Sequence, residues 1–241
     1  MFARLCCIVV SLFYLSQSSA ITLKEQFNLE RQAYRVASSF YYISFDEGSS
    51  DAYQELEKEL LNMDSELNAI KTPNVEQLND IKASWETMKG FSRQNEMKDD
   101  GYTSHYATVD LNTSRSDLVK IISSESYAEP LPEDVKALRL AADMQRLAML
   151  YAEGSVSLIG FPYDELDIDA KKFGEELRAL EKSLTGKSPE AKKKAKEAVR
   201  AWVYIENALI QYYEINVPEL VKRMNDVIVS RLLDVSELTA S

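Results

Sequence analysis

Leu29-Glu30-Arg31-Gln32-Ala33-Tyr34-Arg35-Val36-Ala37 sits in a segment whose apolar residues, Phe27, Ala33, Tyr34, Ala37, Phe40 and Tyr41, recur at mostly helical spacing. A degraded echo follows at Ala142-Asp143-Met144-Gln145-Arg146-Leu147-Ala148-Met149-Leu150. Each copy is followed by a similar series of amphipathic segments, so the chain reads as two copies of one helical unit.

The first series places a helix over about Leu23 to Phe45. A loop, Asp46-Glu47-Gly48-Ser49-Ser50, follows, with Ser50 or Asp51 as the cap of the next helix. Leu56, Leu60, Met63 and Leu67, spaced 4, 3 and 4, make one apolar stripe with acids opposite. Thr72-Pro73 restarts a helix carrying Val75, Leu78, Ile81, Trp85 and Met88. The fourth segment, about Tyr102 to Ser123, is rich in Ser, Thr and Asn and predicts a broken or bent helix. After a linker with Pro130 and Pro132 the pattern restarts at Val135 to Ile159, then Phe173, Leu177, Leu180 and Leu184, then Ala195, Ala198, Trp202, Ile205 and Leu209, then Val217 to Leu232. Leu56 and Phe173, Leu60 and Leu177, Met63 and Leu180, Leu67 and Leu184, and the only two tryptophans, Trp85 and Trp202, are all 117 residues apart. Gln32 and Gln145 are 113 apart, which a longer loop after the first helix of the second copy explains. The expected fold class is all-α: two tandem up-down four-helix-bundle-like units from an internal duplication. The expected division is a signal peptide over 1–20, repeat one over 21–124, a linker over 125–133, repeat two over 134–236 and a flexible tail over 237–241.

Arg4, the apolar run from Leu5 to Leu15 and the small residues Ser18-Ser19-Ala20 form a secretory leader, and the run is too short to span a bilayer. Cys6 and Cys7 leave with it, so the mature chain from Ile21 has no thiol. No second long apolar run follows, which predicts no membrane span after cleavage. With 28 Lys+Arg against 39 Asp+Glu the net charge is -11, and loss of Arg4 makes it -12. Such a surface repels nucleic-acid phosphates and anionic headgroups, so nucleic acid is an unexpected partner.

Chemistry-bearing motifs are sparse. The mature chain has one histidine, His105, in its least regular segment, and no nucleophile elbow for a catalytic triad. There is no Glu-x-x-His pair for a di-iron bundle, and Gly186-Lys187-Ser188 lacks the first glycine of a phosphate loop because position 181 is Glu181. No catalytic residue, metal site or cofactor is expected, and the chain reads as a non-enzyme. Lys192-Lys193-Lys194 reads as a solvated helix face. Among thirteen tyrosines, Tyr34, Tyr41, Tyr42 and Tyr212-Tyr213 suggest core, interface or an aromatic-lined groove. The strongest ligand candidates are Arg31, Gln32 and Arg35, with Gln145 and Arg146 in the second copy. Arg31 and Arg35 lie one turn apart on a helix and can clamp a small anion between them, or pair with acids of a neighbouring helix.

The Glu30-Arg31-Gln32-Ala33-Tyr34-Arg35 start, with the Trp85 and Trp202 helices, resembles the N-terminal sensor domain of type IV pilus methyl-accepting chemotaxis transducers, a relative of nitrate-sensing helical bundles. Arg31 and Gln32 match the family's Arg-Gln-Arg-Met-like stretch; Ala33 and Tyr34 do not. In the second copy Gln145-Arg146-Leu147 matches, with Met144 in place of the leading arginine. The resemblance implies a soluble sensor half exported to the periplasm, with Arg31 as the anion-binding position at a dimer interface. The expected function is a sensor-like protein binding a small ligand, such as an anion, or a partner protein or second copy through its helix faces. The alternative is a structural or adaptor protein of the cell envelope that works through helix contacts.

Overall fold

Thr22 starts the first helix by a reciprocal cap: its hydroxyl accepts from the Glu25 amide at 3.2 Å, and the Glu25 carboxylate accepts from the Thr22 amide at 2.7 Å. In this computed structural model, which describes residues 21–72, 74–123, 127, 129–157 and 163–240, the chain is all-helical. The described helices are α1 (Leu23–Phe45), α2 (Ser50–Ala69), α3 (Val75–Ser92), the short α4 (Met97–Asp100), α5 (His105–Ile122), α6 (Glu133–Val156), α7 (Leu166–Ser183), α8 (Pro189–Ile210) and α9 (Pro218–Thr239). The leader, the Ile159 end of the fifth segment and residues 125, 126 and 128 of the linker lie outside the described residues.

The caps differ from those expected by one or two residues. Ser49, not Ser50 or Asp51, caps α2, and Asn74 caps α3 while the Thr72 hydroxyl accepts from the Asn74 amide. Residues 105–122 form one regular helix rather than a broken one. Ser104 caps it, and the hydroxyls of Thr108 and Ser114 donate back to the carbonyls of Ser104 and Leu111 instead of competing with the helix. Leu111 and Leu118, fully buried, supply the packing that overrides weak propensity. The expected flexible tail is also shorter than 237–241, because α9 continues through Thr239.

Two helices sit in the middle. Thirteen of the 23 residues of α1 and fifteen of the 24 of α6 are buried, against six of twenty in α2, so α1 and α6 are wrapped while α2 buries one stripe. They run parallel and side by side. Lys24 pairs with Asp134 near their starts, Phe27 packs with Val135, Leu138 and Ala142, and further along Gln145 donates to the Ser38 hydroxyl. Around α1, helices α2, α3 and α5 close a core containing Leu56, Leu60, Met63, Trp85, Leu111 and Leu118. Around α6, helices α7, α8 and α9 close another with Phe173, Leu177, Leu180, Trp202, Ile228 and Leu232. The first core also takes in Met149 and Ala152 of α6, so the two cores meet across the central pair. Every residue of the five pairs spaced by 117 is buried. Val75, read as a stripe residue, is 60% exposed.

Each tryptophan helix is tied to the one before it by an ion pair. Trp85 Nε1 and Lys89 Nζ both donate to Asp64, at 2.7 Å each. In the second half Arg178 forms a two-pronged pair with Glu206 beside Trp202. No helix among the described residues is long and apolar enough to cross a membrane.

Candidate functional site

Because α2 packs on α1 and α9 packs on α6, the two outer helices flank the central pair without closing over it. What remains is a furrow with α1 and α6 as floor and α2 and α9 as walls. Its lower section, about 500 Å³, is lined by Leu29, Ile70, Leu138 and Leu233 among others. Its middle section, about 490 Å³, holds Arg31, Gln32, Arg35, Glu59, Gln145 and Asp226. Its upper section, about 260 Å³, reaches Tyr42, Asp46, Asp51 and Lys222. The lower and middle sections share Arg31, Glu66 and Leu233; the middle and upper share Arg35 and Asp226. The three sections therefore lie end to end along α1, with the Arg35–Asp226 pair standing between the middle and upper ones.

Four of the five residues singled out in the sequence meet in the middle section. Gln32 is only 2% exposed, and its amide nitrogen donates to the Glu59 backbone carbonyl at 2.9 Å and to the Glu59 carboxylate at 2.8 Å. Both partners are acceptors, so the amide cannot be flipped, and the Gln32 carbonyl oxygen is left with no donor among the described residues. Gln145, also 2% exposed, donates to Ser38 Oγ and accepts from Asn225 Nδ2, both at 3.0 Å. Ser38 spends its one proton on the Tyr34 carbonyl, so the chain Asn225 to Gln145 to Ser38 to Tyr34 runs in one direction. It leaves Asn225 Oδ1 without a partner in a residue that is 1% exposed.

Both arginines of the furrow already face carboxylates. Arg31 pairs with Glu66 at 3.1 Å. Arg35 reaches Glu55 at 3.3 Å, Glu59 at 3.4 Å and Asp226 on the opposite wall. Burial pushes the Glu59 carboxyl up, but hydrogen bonds from Gln32 and Asn62 and the charge of Arg35 outweigh it and hold the group below its ordinary range. At Glu66 burial wins over the neighbouring Arg31, and the carboxyl is held above its ordinary range. Both arginines thus pair with acids of neighbouring helices, α2 and α9.

Arg146 lies elsewhere. It sits on the opposite face of the α1–α6 pair, between α5 and α7, where it pairs with Asp169 at 2.6 Å and lies 5.9 Å from the Tyr163 ring centroid. Burial pushes Asp169 up, and the Tyr163 hydroxyl and Arg146 more than reverse it, leaving the carboxyl low. Arg115 stands 5.9 Å from the Tyr34 ring on the same face. Glu30 and Asp143 are also there, both held above the ordinary carboxylate range by burial; Ser123 and Gln26 donate to Glu30 and oppose the rise.

The tyrosines do not converge on one groove. Tyr41 donates to Asn112, which donates to the buried Glu153, tying α1, α5 and α6. Tyr42 faces α9, donating to the Pro218 carbonyl with Lys222 Nζ 4.4 Å from its ring centroid. Tyr212 and Tyr213 stack on each other and both donate to Asp164. His105 is exposed at the first turn of α5. No group of three or more metal-ligating side chains occurs among the described residues.

Glu59, Asn225 and Asp226 were missed in the sequence. Asn225 was findable: it stands four residues after Val221 and three before Ile228, inside an apolar stripe where an amide must find a partner. Asp226 on α9 carries no such mark.

Comparison with known proteins found no matching family model, no matching curated protein and no matching solved structure.

Proposed function

We propose that this is a non-enzymatic, exported binding protein whose recognition surface is the furrow along α1. The observation that carries the reading is Gln32: its amide nitrogen is held on Glu59, which turns a carbonyl oxygen with no donor among the described residues towards an open furrow. That oxygen is open to solvent, so a group entering the furrow can donate to it in place of water. The leader over 1–20 supports export to the periplasm. The buried pairs at a spacing of 117 support an internal duplication of a four-helix unit, in which α1 and α6 are equivalent. The likeness of the Arg31-Gln32 stretch to chemotaxis-transducer sensor domains supports a sensor-like role.

A thermal-shift screen of residues 21–241 against small anions, amino acids and peptides tests the proposal. A ligand at a hundred times its Kd stabilises by about 2.7 kcal/mol, equivalent to a rise of roughly 5–10 °C for a domain of this size. The rise disappears when Ser230, exposed on the α9 wall, is replaced by Trp to fill the middle section. A rise that survives Ser230→Trp places the site elsewhere and sinks the proposal.

A second reading, an adaptor acting through helix faces, is favoured by one patch. Tyr102, Tyr106 and Val109, 60%, 80% and 42% exposed, cluster at the start of α5. It predicts a concentration-dependent oligomer that Tyr106→Ser dissociates.

A further inference from the structure

The charges of the whole furrow identify the class of occupant. Eight carboxylates and four cationic side chains line its three sections, a net charge of -4. Both arginines pair with carboxylates, Arg35 with Glu55, Glu59 and Asp226 and Arg31 with Glu66 through one nitrogen while its Nε has no acceptor among the described residues, and the surplus of carboxylates opposes a free anion. The Gln32 amide oxygen, open to solvent and without a protein donor among the described residues, can accept from an occupant. Burial holds the Glu66 carboxyl above its ordinary range in spite of Arg31, so a further positive charge beside it is stabilising.

The shape is equally selective. From Lys24 to Asp46 the furrow follows the length of α1, about 33 Å at 1.5 Å per residue. Its sections are open grooves laid end to end, whereas a small-molecule site buries most of its ligand's surface in a concave pocket. The lower section mixes Leu29, Ile70, Leu138 and Leu233 with Glu25, Glu66 and Glu237, and the middle and upper sections are lined by further carboxylates. We infer that the furrow takes a cationic amphipathic segment of a partner protein, with its apolar residues on the Leu29–Leu233 end and its lysines or arginines over Glu59, Glu66 and Asp226. This rests on the furrow being the recognition surface. A second copy of the chain is a poor occupant, because each mature copy carries -12.

Three fluorescein-labelled 18-residue amphipathic peptides, built from Leu/Lys, Leu/Gln and Leu/Glu on one helical pattern, test the inference by anisotropy against residues 21–241. The protein is compared with Ser65→Lys/Ser230→Lys, which adds two charges at exposed positions on the furrow walls, and with Asn79→Lys/Thr87→Lys, which adds two at exposed positions on α3. The expected result is that only the Leu/Lys peptide binds tightly. The wall pair weakens it at least tenfold and the α3 pair less than twofold. Hydrogen exchange then shows protection over 55–66 and 226–237. Equal weakening by the two pairs, or no protection over those segments, overturns the inference, since attraction to a generally acidic surface would suffice. A Leu/Gln or Leu/Glu peptide that binds in preference, and is lost on the wall pair, overturns the cationic class and leaves the furrow as the site. If none of the three binds, the inference falls, while the furrow reading stands or falls on the thermal-shift screen and its Ser230→Trp control.

Discussion

Arg35 holds three carboxylates from two helices, Glu55 and Glu59 on α2 and Asp226 on α9, and Glu59 is only 5% exposed. Removing the guanidinium leaves Glu59 with its amide donors but no counter-charge. Arg35→Met is expected to destabilise the fold by about 2–3 kcal/mol, near the lower end for breaking a buried pair. Arg31→Ala, whose partner Glu66 is about a third exposed at the side chain, is expected to cost less than about 1 kcal/mol. Urea denaturation of the two variants distinguishes these losses. Asp143 carries the opposite effect. Burial raises its carboxyl above the ordinary range more than Arg139 and Arg146 lower it, so the folded state binds that proton more tightly than the unfolded chain. Its ionised form therefore opposes folding above the folded-state pKa, and the penalty fades as pH falls to the unfolded value. Asp143→Asn is expected to raise Tm at pH 7, with the gain shrinking towards pH 4. A gain that grows on acidification would show the sign to be wrong.

Two glycines in helix interiors show how packing reverses propensity at the scale of an element. Gly90 in α3 has open space where a Cβ would lie, so Gly90→Ala is expected to stabilise by about 0.5–1 kcal/mol. Gly174 in α7 is different. A Cβ there would stand 2.7 Å from Trp202 Nε1 and 2.8 Å from an Arg178 nitrogen, and the indole is fully buried. The same helix-favouring change at Gly174 is expected to destabilise by about 1–3 kcal/mol through overpacking. Calorimetry of the two alanine variants checks the opposite signs. The α5 helix makes the related point that a Ser- and Thr-rich stretch stays regular when its hydroxyls bond back to its own carbonyls and its leucines are buried.

For the molecule as a whole, the parallel α1–α6 contact decides the behaviour. Gln145 donates to Ser38 and accepts from Asn225, and Met149 and Ala152 of α6 complete the core around α1. Neither half can bury its central helix alone. The full chain is therefore expected to unfold in one urea transition, with isolated 21–123 and 133–240 each markedly less stable or self-associated. Two separate transitions in the full chain, followed by circular dichroism, would exclude this coupling.

The all-helical class, the extent of α1 and the buried stripes at Leu56, Leu60, Met63, Leu67 and their partners 117 residues on were legible in the sequence. A stripe at helical period can be buried in only one orientation, and that is a local property. The cap at Ser49, the regularity of α5 and the length of α9 depended on hydrogen bonds and packing that propensity does not contain. The site was half legible. Arg31, Gln32, Arg35 and Gln145 were marked as chemistry-bearing, but Glu59 and Asp226, which neutralise Arg35, come from helices 24 and 191 residues away along the chain. Only the tertiary structure could decide that Arg146 belongs to the other face of the central pair and that the furrow carries net negative charge. Charge complementarity is a sum over whatever side chains the fold brings within reach, and the order of residues along one chain does not fix that sum until the helices are packed.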